Sequence, residues 1–435
     1  MTLSKFFKSN SEIQNINIVL TDLNGVFRGK KIPVSQIDKI EKSNFRMPFS
    51  VLNLDIWGND IEKSRWVFDT GDADGKCFWT KRKPLILSMG NIKNAIIPVA
   101  MYHENGKEFL GDPYHFLKGI ENNLKNKKLI PIVGVELEFY LIEEGAKNDP
   151  SESNMYSISE LNKNSELFDE ISVVCEENNI KIESTISESG AGQFEIVLSH
   201  NNSLITVAEN ILFLKYIIRN LSLKYGYCAS FMSKPFGGLA GSGMHVHCSI
   251  LNDSKENIFD NGTAEGSDQL KFAIKGLIDT MQETTLIMAP HLNSYRRIVS
   301  ETHAPNIISW GYENRTVALR VPGGENKSKR IEHRVAGSDV NPYLLLSAII
   351  LGIEKGINEK ILPSSPEDGN AYNSENQILP GSWQASLNKF KKGGFIKKNF
   401  PKEIIEMFLD CKSQECQKLT SKVSDEELQA YLNTV

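Results

Sequence analysis

The chain has 435 residues, of which 40% are hydrophobic and 24% are charged, and its formal net charge is −5. These values are typical of globular proteins and exclude a wholly disordered chain, and the acidic balance argues against a nucleic-acid partner. The longest nearly apolar run, Leu344–Ile353, is about half of a membrane span, so we expect no membrane partner and no secretory signal. Six cysteines without a CxxC pair favour reduced thiols and a cytoplasmic location.

The first part of the chain predicts a small, strand-rich domain. Residues 16–32 alternate apolar and polar side chains around an Asn-Gly pair at 24–25, which favours a hairpin with a type I′ turn. Residues 66–82 are polar and contain turn-forming Gly-Asp and Asp-Gly pairs, so we expect irregular structure there. A further turn sequence near 105 leads us to place a domain boundary after residue 107.

Helices are predicted in the remainder of the chain, residues 108–435. Apolar residues recur at helical spacing between 203 and 225, and a second helix begins at Pro342 and runs to about Gly356. Ser424 is the expected N-cap of a helix close to the C-terminus. Residues 144–165 are polar and turn-rich, which indicates a surface insertion.

Charged side chains share one face of several predicted strands. Residues two apart lie on the same side of a strand, so Glu136 pairs with Glu138 and His245 with His247. Each strand alone fits an antiparallel sheet with one solvated face, but a solvated face seldom combines Glu, His and Arg so consistently. The same pattern extends to Glu195, Arg320, Arg330, Glu332 and Arg334.

This combination of side chains indicates phosphoryl transfer. Carboxylates and imidazoles suit divalent cations, and arginine suits phosphate and carboxylate groups. Glycine-rich stretches at 189–193 and 237–243 adjoin these strands and would let the backbone approach a ligand. Neither stretch fits a P-loop or a GxGxxG fingerprint, which argues against a Walker or Rossmann nucleotide site.

These segments resemble the glutamine synthetase family over nearly the whole chain. The matching sequences are GVELEFYL at 134–141, ESGAGQFE at 188–195, FMSKPFGGLAGSGMHVHCS at 231–249, NSYRRI at 293–298, NRTVALRVP at 314–322, KRIEHR at 329–334 and NPYL at 341–344. The resemblance implies an α+β fold, with an N-terminal β-grasp-like domain (1–107) and a catalytic domain (108–435) built on a curved antiparallel sheet flanked by helices. It also implies a homo-oligomer of stacked rings, a dodecamer, with active sites between neighbouring subunits.

The resemblance also implies a reaction, in which ATP converts glutamate to γ-glutamyl phosphate and an amine then displaces the phosphate. Two or three Mg²⁺ or Mn²⁺ ions assist each site. The implied metal ligands are Glu138, Glu188 and Glu195 for one ion and Glu136, His245 and Glu332 for another. The implied substrate-binding residues are Gly241, His245, Arg297 and Arg334. The implied ATP-binding residues are His247, Ser249, Arg315, Arg320 and Arg330. Arg297, Arg315, Arg334 and His303 are the expected catalytic residues.

The chain departs from the ammonia-using members around the ammonium position. His303 stands where those enzymes carry a flap glutamate, and Glu301 lies two residues earlier. Their FDGSS-type stretch is replaced by MPFSVLNLDIWG at 47–58, in which Asp55 lies outside that motif, and Ala240 replaces an asparagine. The pattern is similar to that of γ-glutamylputrescine synthetases and related glutamate–amine ligases. We therefore expect a primary amine as acceptor, with putrescine, other polyamines, ethanolamine, methylamine and aromatic amines all left open.

Two alternatives compete with this interpretation. The first is an ammonia-dependent glutamine synthetase with a divergent flap, in which Glu301 serves in place of the missing glutamate. The second is an inactive family member used as a scaffold. An inactive member is expected to lose its metal ligands first, because buried carboxylates are costly without a cation, and all six are present here.

Overall fold

A computed structural model describes residues 2–42, 44–89, 92–145, 154–299 and 304–435. Two sheets organise these residues, one in the N-terminal part and one in the remainder. Helices pack around the second sheet, and buried apolar side chains from both parts form a continuous core. This is the α+β architecture that the sequence predicts.

The N-terminal sheet has six strands in the order β2-β1-β6-β4-β3, with β5 paired to β6. The strands are β1 (Ile13–Thr21), β2 (Phe27–Pro33), β3 (Phe45–Pro48), β4 (Asp74–Trp79), β5 (Leu85–Met89) and β6 (Ile92–Tyr102). Two short helices, α1 (Leu3–Ser9) and α2 (Ile37–Glu41), accompany it. Strands β1 and β6 are parallel, and the other pairs are antiparallel. The boundary after residue 107 falls between this sheet and the next helix and stays a prediction.

The predicted hairpin of β1 and β2 is confirmed, but the predicted turn type is wrong. Thr21 pairs with Phe27, so five residues form the loop, and only Gly25 has a positive φ, +73°. The cause is Asp22, whose carboxylate accepts hydrogen bonds from the backbone N–H groups of Asn24 and Val26, both at 2.9 Å. An aspartate that bonds the following backbone stabilises a wider loop than the Asn-Gly pair alone suggests.

The prediction of irregular structure over 66–82 is wrong in part. Gly71 and Asp72 do form a turn with positive φ values. Strand β4 nevertheless begins at Asp74 and runs through the second turn-forming pair to Trp79. Gly75 is required there because a Cβ at this position would lie 2.9 Å from the Phe49 ring. The glycine therefore reflects close packing against the sheet rather than a turn.

The second sheet has eight strands in the order β12-β13-β14-β11-β7-β9-β8, with β10 paired to β7. Its strands are β7 (Ile130–Glu143), β8 (Ile182–Ser187), β9 (Gln193–Asn201), β10 (Tyr227–Ser230), β11 (Met244–Leu251), β12 (Trp310–Tyr312), β13 (Leu319–Val321) and β14 (Ile331–His333). Only β12 and β13 pair in parallel among the described strands of this sheet. Every strand predicted to carry a charged face belongs to it.

The helices surround this sheet and confirm the predicted long segments. They are α3 (Pro113–Asn126), α4 (Ile158–Lys163), α5 (Ser165–Glu177), α6 (Leu204–Lys224), α7 (Asp268–Met288), α8 (Pro342–Glu359), α9 (Trp383–Lys392), α10 (Gly394–Asn399), α11 (Lys402–Thr420) and α12 (Asp425–Tyr431). Ser424 caps α12 in a capping box, as expected, and Ser203, which was not predicted as a cap, caps α6. Helix α8 runs three residues beyond the predicted end.

Two further sequence expectations can be compared with the structure. The polar segment 144–165 lies partly outside the described residues, and its described part contains α4 rather than turns alone. All six cysteines are free thiols, as predicted, and only Cys228 is exposed. Within the described ranges, no helix combines the length and apolar character that crossing a membrane requires.

Candidate active site

Three neighbouring strands bring the predicted carboxylates and histidines together. Antiparallel pairing sets Glu136 of β7 opposite His245 of β11, and Glu138 of β7 opposite Glu195 of β9. Because side chains alternate along each strand, these residues and His247 all project from one face of the sheet. The charged face predicted from the sequence is therefore one continuous surface.

Glu136 lies between the two histidines. Its Oε2 is 2.9 Å from Nδ1 of His245, and its Oε1 is 2.9 Å from Nε2 of His247. Arg330 donates through Nε to Nδ1 of His247 at 3.2 Å, so the hydrogen-bond network assigns the His247 proton to Nε2. Burial raises the pKa of Glu136, but the hydrogen bonds of the two histidines outweigh it and hold that pKa far below its usual range.

Glu332 is the fully buried carboxylate of β14. Nη1 of Arg320 donates to it at 2.8 Å, and Arg334 donates to its other oxygen. His245 Nδ1 lies 4.0 Å away. Burial raises the pKa of Glu332, but Arg334 and the two histidines lower it by more, so the group is held as a carboxylate. Arg320 therefore binds a carboxylate in this structure. The ATP-binding role that the resemblance implies for it stays a prediction.

For two other carboxylates, burial and neighbouring negative charge outweigh the compensating contacts. Burial and the neighbouring charges of Glu136 and Glu138 raise the pKa of Glu195 to about 10. Burial and Glu138 also raise the pKa of Glu188 to about 7. The surrounding protein thus disfavours the ionised form of these two groups, and a bound cation would favour it.

Two groups of side chains have the geometry of a metal site. Ligand atoms of Glu136, Glu195 and His245 lie within 4.8 Å of one another, as do those of Glu136, His247 and Glu332. Oxygen and imidazole donors of this kind suit Mg²⁺ and Mn²⁺. These two groups differ from the two ion sites that the resemblance implies, because the resemblance assigns Glu136 to a single ion and His247 to ATP. The implied assignment of ligands to ions stays a prediction.

Glu138 belongs to neither group, and its side chain accepts hydrogen bonds from Gly243 and Gln193. Its Oε2 accepts from the N–H of Gly243 at 2.6 Å and from Nε2 of Gln193 at 3.4 Å. Gln193 also donates to the carbonyl of Gly241 at 3.1 Å. Gln193 was not among the predicted site residues, although Gln193 precedes Glu195 by two residues and therefore lies on the same face of β9.

The glycine-rich stretch before β11 makes room for Arg297. A Cβ on Gly243 would lie 2.5 Å from Nη2 of Arg297, and one on Gly241 would lie 2.7 Å from its Cγ. Arg297 is buried and donates to the carbonyls of Val335 at 2.8 Å and Arg334 at 3.3 Å. Burial lowers its pKa. Both glycines are therefore needed for a buried guanidinium to reach the carboxylate face.

Two cavities open onto this face and share Glu136. The first, of about 570 Å³, is lined by Glu138, Glu188, Glu195, Gly241, His245, Arg297, Arg315 and Arg334, among others. The second, of about 520 Å³, is lined by His247, Ser249 and Arg330, with Gly134 and Lys327 nearby. We call them the carboxylate cavity and the histidine cavity. The residues predicted to bind substrate line the carboxylate cavity. Of those predicted to bind ATP, three line the histidine cavity, Arg315 lines the carboxylate cavity and Arg320 lines neither. Their roles stay predictions.

Two residues of the predicted flap, His303 and Glu301, lie outside the described residues. Asp55, the aspartate of the altered N-terminal stretch, is fully buried within its own chain. Its carboxylate accepts hydrogen bonds from Lys418 at 2.8 Å and Gln414 at 3.1 Å. Burial raises the pKa of Asp55, but these donors outweigh it and lower that pKa overall.

Comparison with known proteins gives consistent matches. The sequence profile of "Glutamine synthetase, catalytic domain" matches residues 110–431. The chain is 32% identical to gamma-glutamylputrescine synthetase PuuA of Escherichia coli (strain K12), with 99% of this chain and 94% of that protein covered. It is 30% identical to a glutamine synthetase of Thermotoga maritima, with 97% and 96% covered, and 27% identical to glutamate–isopropylamine ligase of Pseudomonas sp, with 99% and 97% covered. A solved structure described as apo GmaS without ligand superposes with a TM-score of 0.87 at 23% identity, covering 100% of both chains.

Proposed function

The chain belongs to the glutamine synthetase family, and we propose that it is a glutamate–amine ligase, which joins the γ-carboxyl group of glutamate to a primary amine other than ammonia. The observation that carries the proposal is an asymmetry of the site. The carboxylates, histidines and arginines implied for metal, ATP and glutamate share one face. The residues that ammonia-using members place around ammonium are replaced. The relatives named for putrescine and isopropylamine support this proposal.

The proposed reaction has two steps. A γ-carboxylate oxygen of glutamate attacks the terminal phosphorus of ATP, and ADP leaves. The nitrogen of the neutral amine then attacks the carbonyl carbon of γ-glutamyl phosphate, the bond from that carbon to the phosphate oxygen breaks, phosphate leaves, and the nitrogen releases its extra proton to solvent. Bound Mg²⁺ or Mn²⁺ would neutralise the transferred phosphoryl group.

The chain's own residues would bind and orient the two substrates. Arg297, a buried residue of the carboxylate cavity, is suited to the α-carboxylate of glutamate, Arg334 to its γ-carboxyl group, and Arg315 to the transferred phosphoryl group. His247, Ser249 and Arg330 would hold ATP in the histidine cavity. Glu136 borders both cavities, so a cation bound to it would lie between the two reacting groups.

The altered N-terminal stretch is part of this support, because Asp55 lies outside the motif of the ammonia-using members. The carboxylate of Asp55 accepts hydrogen bonds from Lys418 and Gln414 of α11 in its own chain. An oligomer of stacked rings with a cytoplasmic location is part of the same proposal, by analogy with the family.

A phosphate-release assay tests the proposal. ATP, Mg²⁺ and glutamate are combined with putrescine, propylamine, ethanolamine or ammonia, with glutamate omitted as the control. We expect at least one organic amine to exceed ammonia about tenfold in kcat/KM. The second candidate, an ammonia-dependent glutamine synthetase, has the support of the 30% identical Thermotoga maritima enzyme. It predicts that ammonia is the best acceptor, and that result would refute our proposal.

A further inference from the structure

The two glycine-rich stretches, 189–193 and 237–243, meet at one pair of buried side chains. Tyr140 of β7 and Gln193 of β9 stand opposite each other in the antiparallel pairing, and both are buried. Side chains at opposite positions lie on the same side of a sheet, so we call these two residues the cross-strand pair. The ring of Tyr140 also packs against that of Phe236, directly before the second stretch, with ring centroids 5.4 Å apart.

Each member of the cross-strand pair holds one carbonyl of the second stretch. The hydroxyl of Tyr140 donates to the carbonyl of Ala240 at 2.7 Å. Nε2 of Gln193 donates to the carbonyl of the next residue, Gly241, at 3.1 Å. Residues 237–242 belong to no helix or strand, and a glycine-rich backbone has many accessible conformations. These two hydrogen bonds therefore restrict a segment that the secondary structure does not fix.

The first stretch makes room for the cross-strand pair. A Cβ on Gly190 would lie 2.0 Å from the hydroxyl oxygen of Tyr140 and 2.9 Å from Oε1 of Gln193. The same Oε1 accepts a hydrogen bond from the N–H of Gly190 at 2.9 Å. The sequence predicts that this stretch lets the backbone approach a ligand, whereas at Gly190 the groups that approach the backbone are these two side chains.

The backbone that the pair holds lies beside the residue proposed to bind the α-carboxylate of glutamate. Ala240 and Gly241 line the carboxylate cavity, and a Cβ on Gly241 would lie 2.7 Å from Cγ of Arg297. We propose that the cross-strand pair positions glutamate, because it holds the backbone of Ala240 and Gly241 against Arg297. Backbone and guanidinium then form one preset surface for the α-amino and α-carboxylate groups. The inference rests on the proposed function, and specifically on glutamate as the substrate that is phosphorylated.

ATP provides an internal control for this role. Gln193 lines the carboxylate cavity, and neither member of the cross-strand pair lines the histidine cavity. Loss of a hydrogen bond from the pair should therefore weaken the binding of glutamate and leave that of ATP nearly unchanged. A general loosening of the fold would weaken the binding of both substrates.

Tyr140→Phe removes one hydroxyl and keeps the ring. In phosphate-release assays with Mg²⁺ and the acceptor that gives the highest rate, we expect KM for glutamate to rise about tenfold and KM for ATP to stay within about twofold. The matched control is Tyr225→Phe, which removes a hydroxyl that donates to Glu170 at 2.7 Å outside both cavities and should change neither KM. An unchanged KM for glutamate in Tyr140→Phe, or equal rises for glutamate and ATP, would overturn the inference.

Gly190→Ala tests the same contact from the other side. The added Cβ would displace the Tyr140 hydroxyl, so we expect KM for glutamate to rise by a similar factor in this variant. In the double variant with Tyr140→Phe the hydroxyl is already absent, and the further rise should be much smaller. Effects of the two substitutions that simply multiply would contradict the proposed contact.

The wild-type enzyme separates this inference from the choice of acceptor. If ammonia is the best acceptor, the ligase proposal fails and the role of the cross-strand pair stands, because both reactions use glutamate. If glutamate stimulates no phosphate release with any acceptor, the proposed function fails and the inference fails with it.

Discussion

Two buried clusters of charged residues in this chain differ in how their charge is balanced. The first lies where the β1–β2 loop meets α11 and contains Lys412, Glu415, Asn24 and His291. The second is the carboxylate face on β7, β9, β11 and β14. The first is closed to solvent, whereas cavities open onto the second, and only the second contains carboxylates whose pKa values are raised to about 7 and about 10.

In the first cluster every charge has a partner within the chain. Lys412 Nζ donates to Glu415 at 2.8 Å and to the side chain of Asn24, and Glu415 accepts from the Ile56 N–H at 2.8 Å. Burial raises the pKa of Glu415, but Lys412 and His291 lower it far more. In the carboxylate face, by contrast, the pKa of Glu195 is raised to about 10. A balanced cluster joins parts of the fold, and an unbalanced one marks a place where ligands bring the missing charge.

The largest effect is expected from a substitution in the first cluster (Lys412, Glu415, Asn24 and His291), which we call the balanced cluster. Lys412→Met leaves Glu415 buried without its cation, so we expect the free energy of unfolding to fall by about 3–5 kcal/mol. Chemical denaturation measures this change. Lys128→Met is the control, because Lys128 forms only an exposed ion pair with Asp253, and its loss should cost less than about 1 kcal/mol. Equal effects of the two variants would contradict the role of the balanced cluster.

The next prediction concerns Glu136 of the carboxylate face and compares the effect of its substitution on activity with the effect on stability. Glu136→Gln keeps the shape of the side chain but removes the charge shared by both cavities. We expect amine-dependent phosphate release to fall by about 10²–10³-fold, as for other groups that stabilise a transition state by charge. The free energy of unfolding should fall by about 1–3 kcal/mol, less than for Lys412→Met, because the histidines stabilise the ionised form of Glu136 in the folded state. Glu104→Gln, at an exposed residue of the N-terminal part, should leave both measurements unchanged.

Divalent cations should stabilise the carboxylate face specifically. At a concentration about 100 times its Kd, Mg²⁺ is expected to add about 2.7 kcal/mol to the free energy of unfolding, seen as a rise in Tm over an EDTA-treated sample. Glu195→Gln removes a predicted ligand and should reduce this rise. Lys412→Met should lower Tm with and without Mg²⁺ and retain the rise. A Mg²⁺ effect lost in Lys412→Met but kept in Glu195→Gln would reverse our assignment of the two clusters.

The smallest effect concerns pH and the balanced cluster. The folded-state pKa of Glu415 is lowered below its usual value of 4.5, so its contribution to stability is present above pH 4.5 and is lost as pH falls. Replacing both partners, Lys412→Met with Glu415→Met, removes the pair without leaving a lone charge. We expect this double variant to be close to wild type at pH 7 and to lose less stability than wild type between pH 5 and pH 3. Parallel pH profiles would contradict this interpretation.

The sequence predicted the carboxylate face well, because alternation along a strand fixes which side chains share a side. It could not predict the register between strands, and register is what binds Arg320 to Glu332 and sets His247 beside Glu136. The balanced cluster was not predicted, since Lys412 and Asn24 are 388 residues apart. The hairpin turn was predicted incorrectly because the side-chain bonds of Asp22 outweigh the local preference of Asn-Gly. Local patterns thus specified the strands and their faces, whereas long-range contacts set their partners.

The most direct test of the central claim is a competition between acceptors. The enzyme is supplied with ATP, Mg²⁺, glutamate and equal concentrations of ammonia, putrescine, propylamine and ethanolamine, and the products are quantified by mass spectrometry. Our account predicts that the γ-glutamyl amide of one organic amine exceeds glutamine at least about tenfold. Glutamine as the main product would contradict it and would assign the chain to the ammonia-dependent reaction.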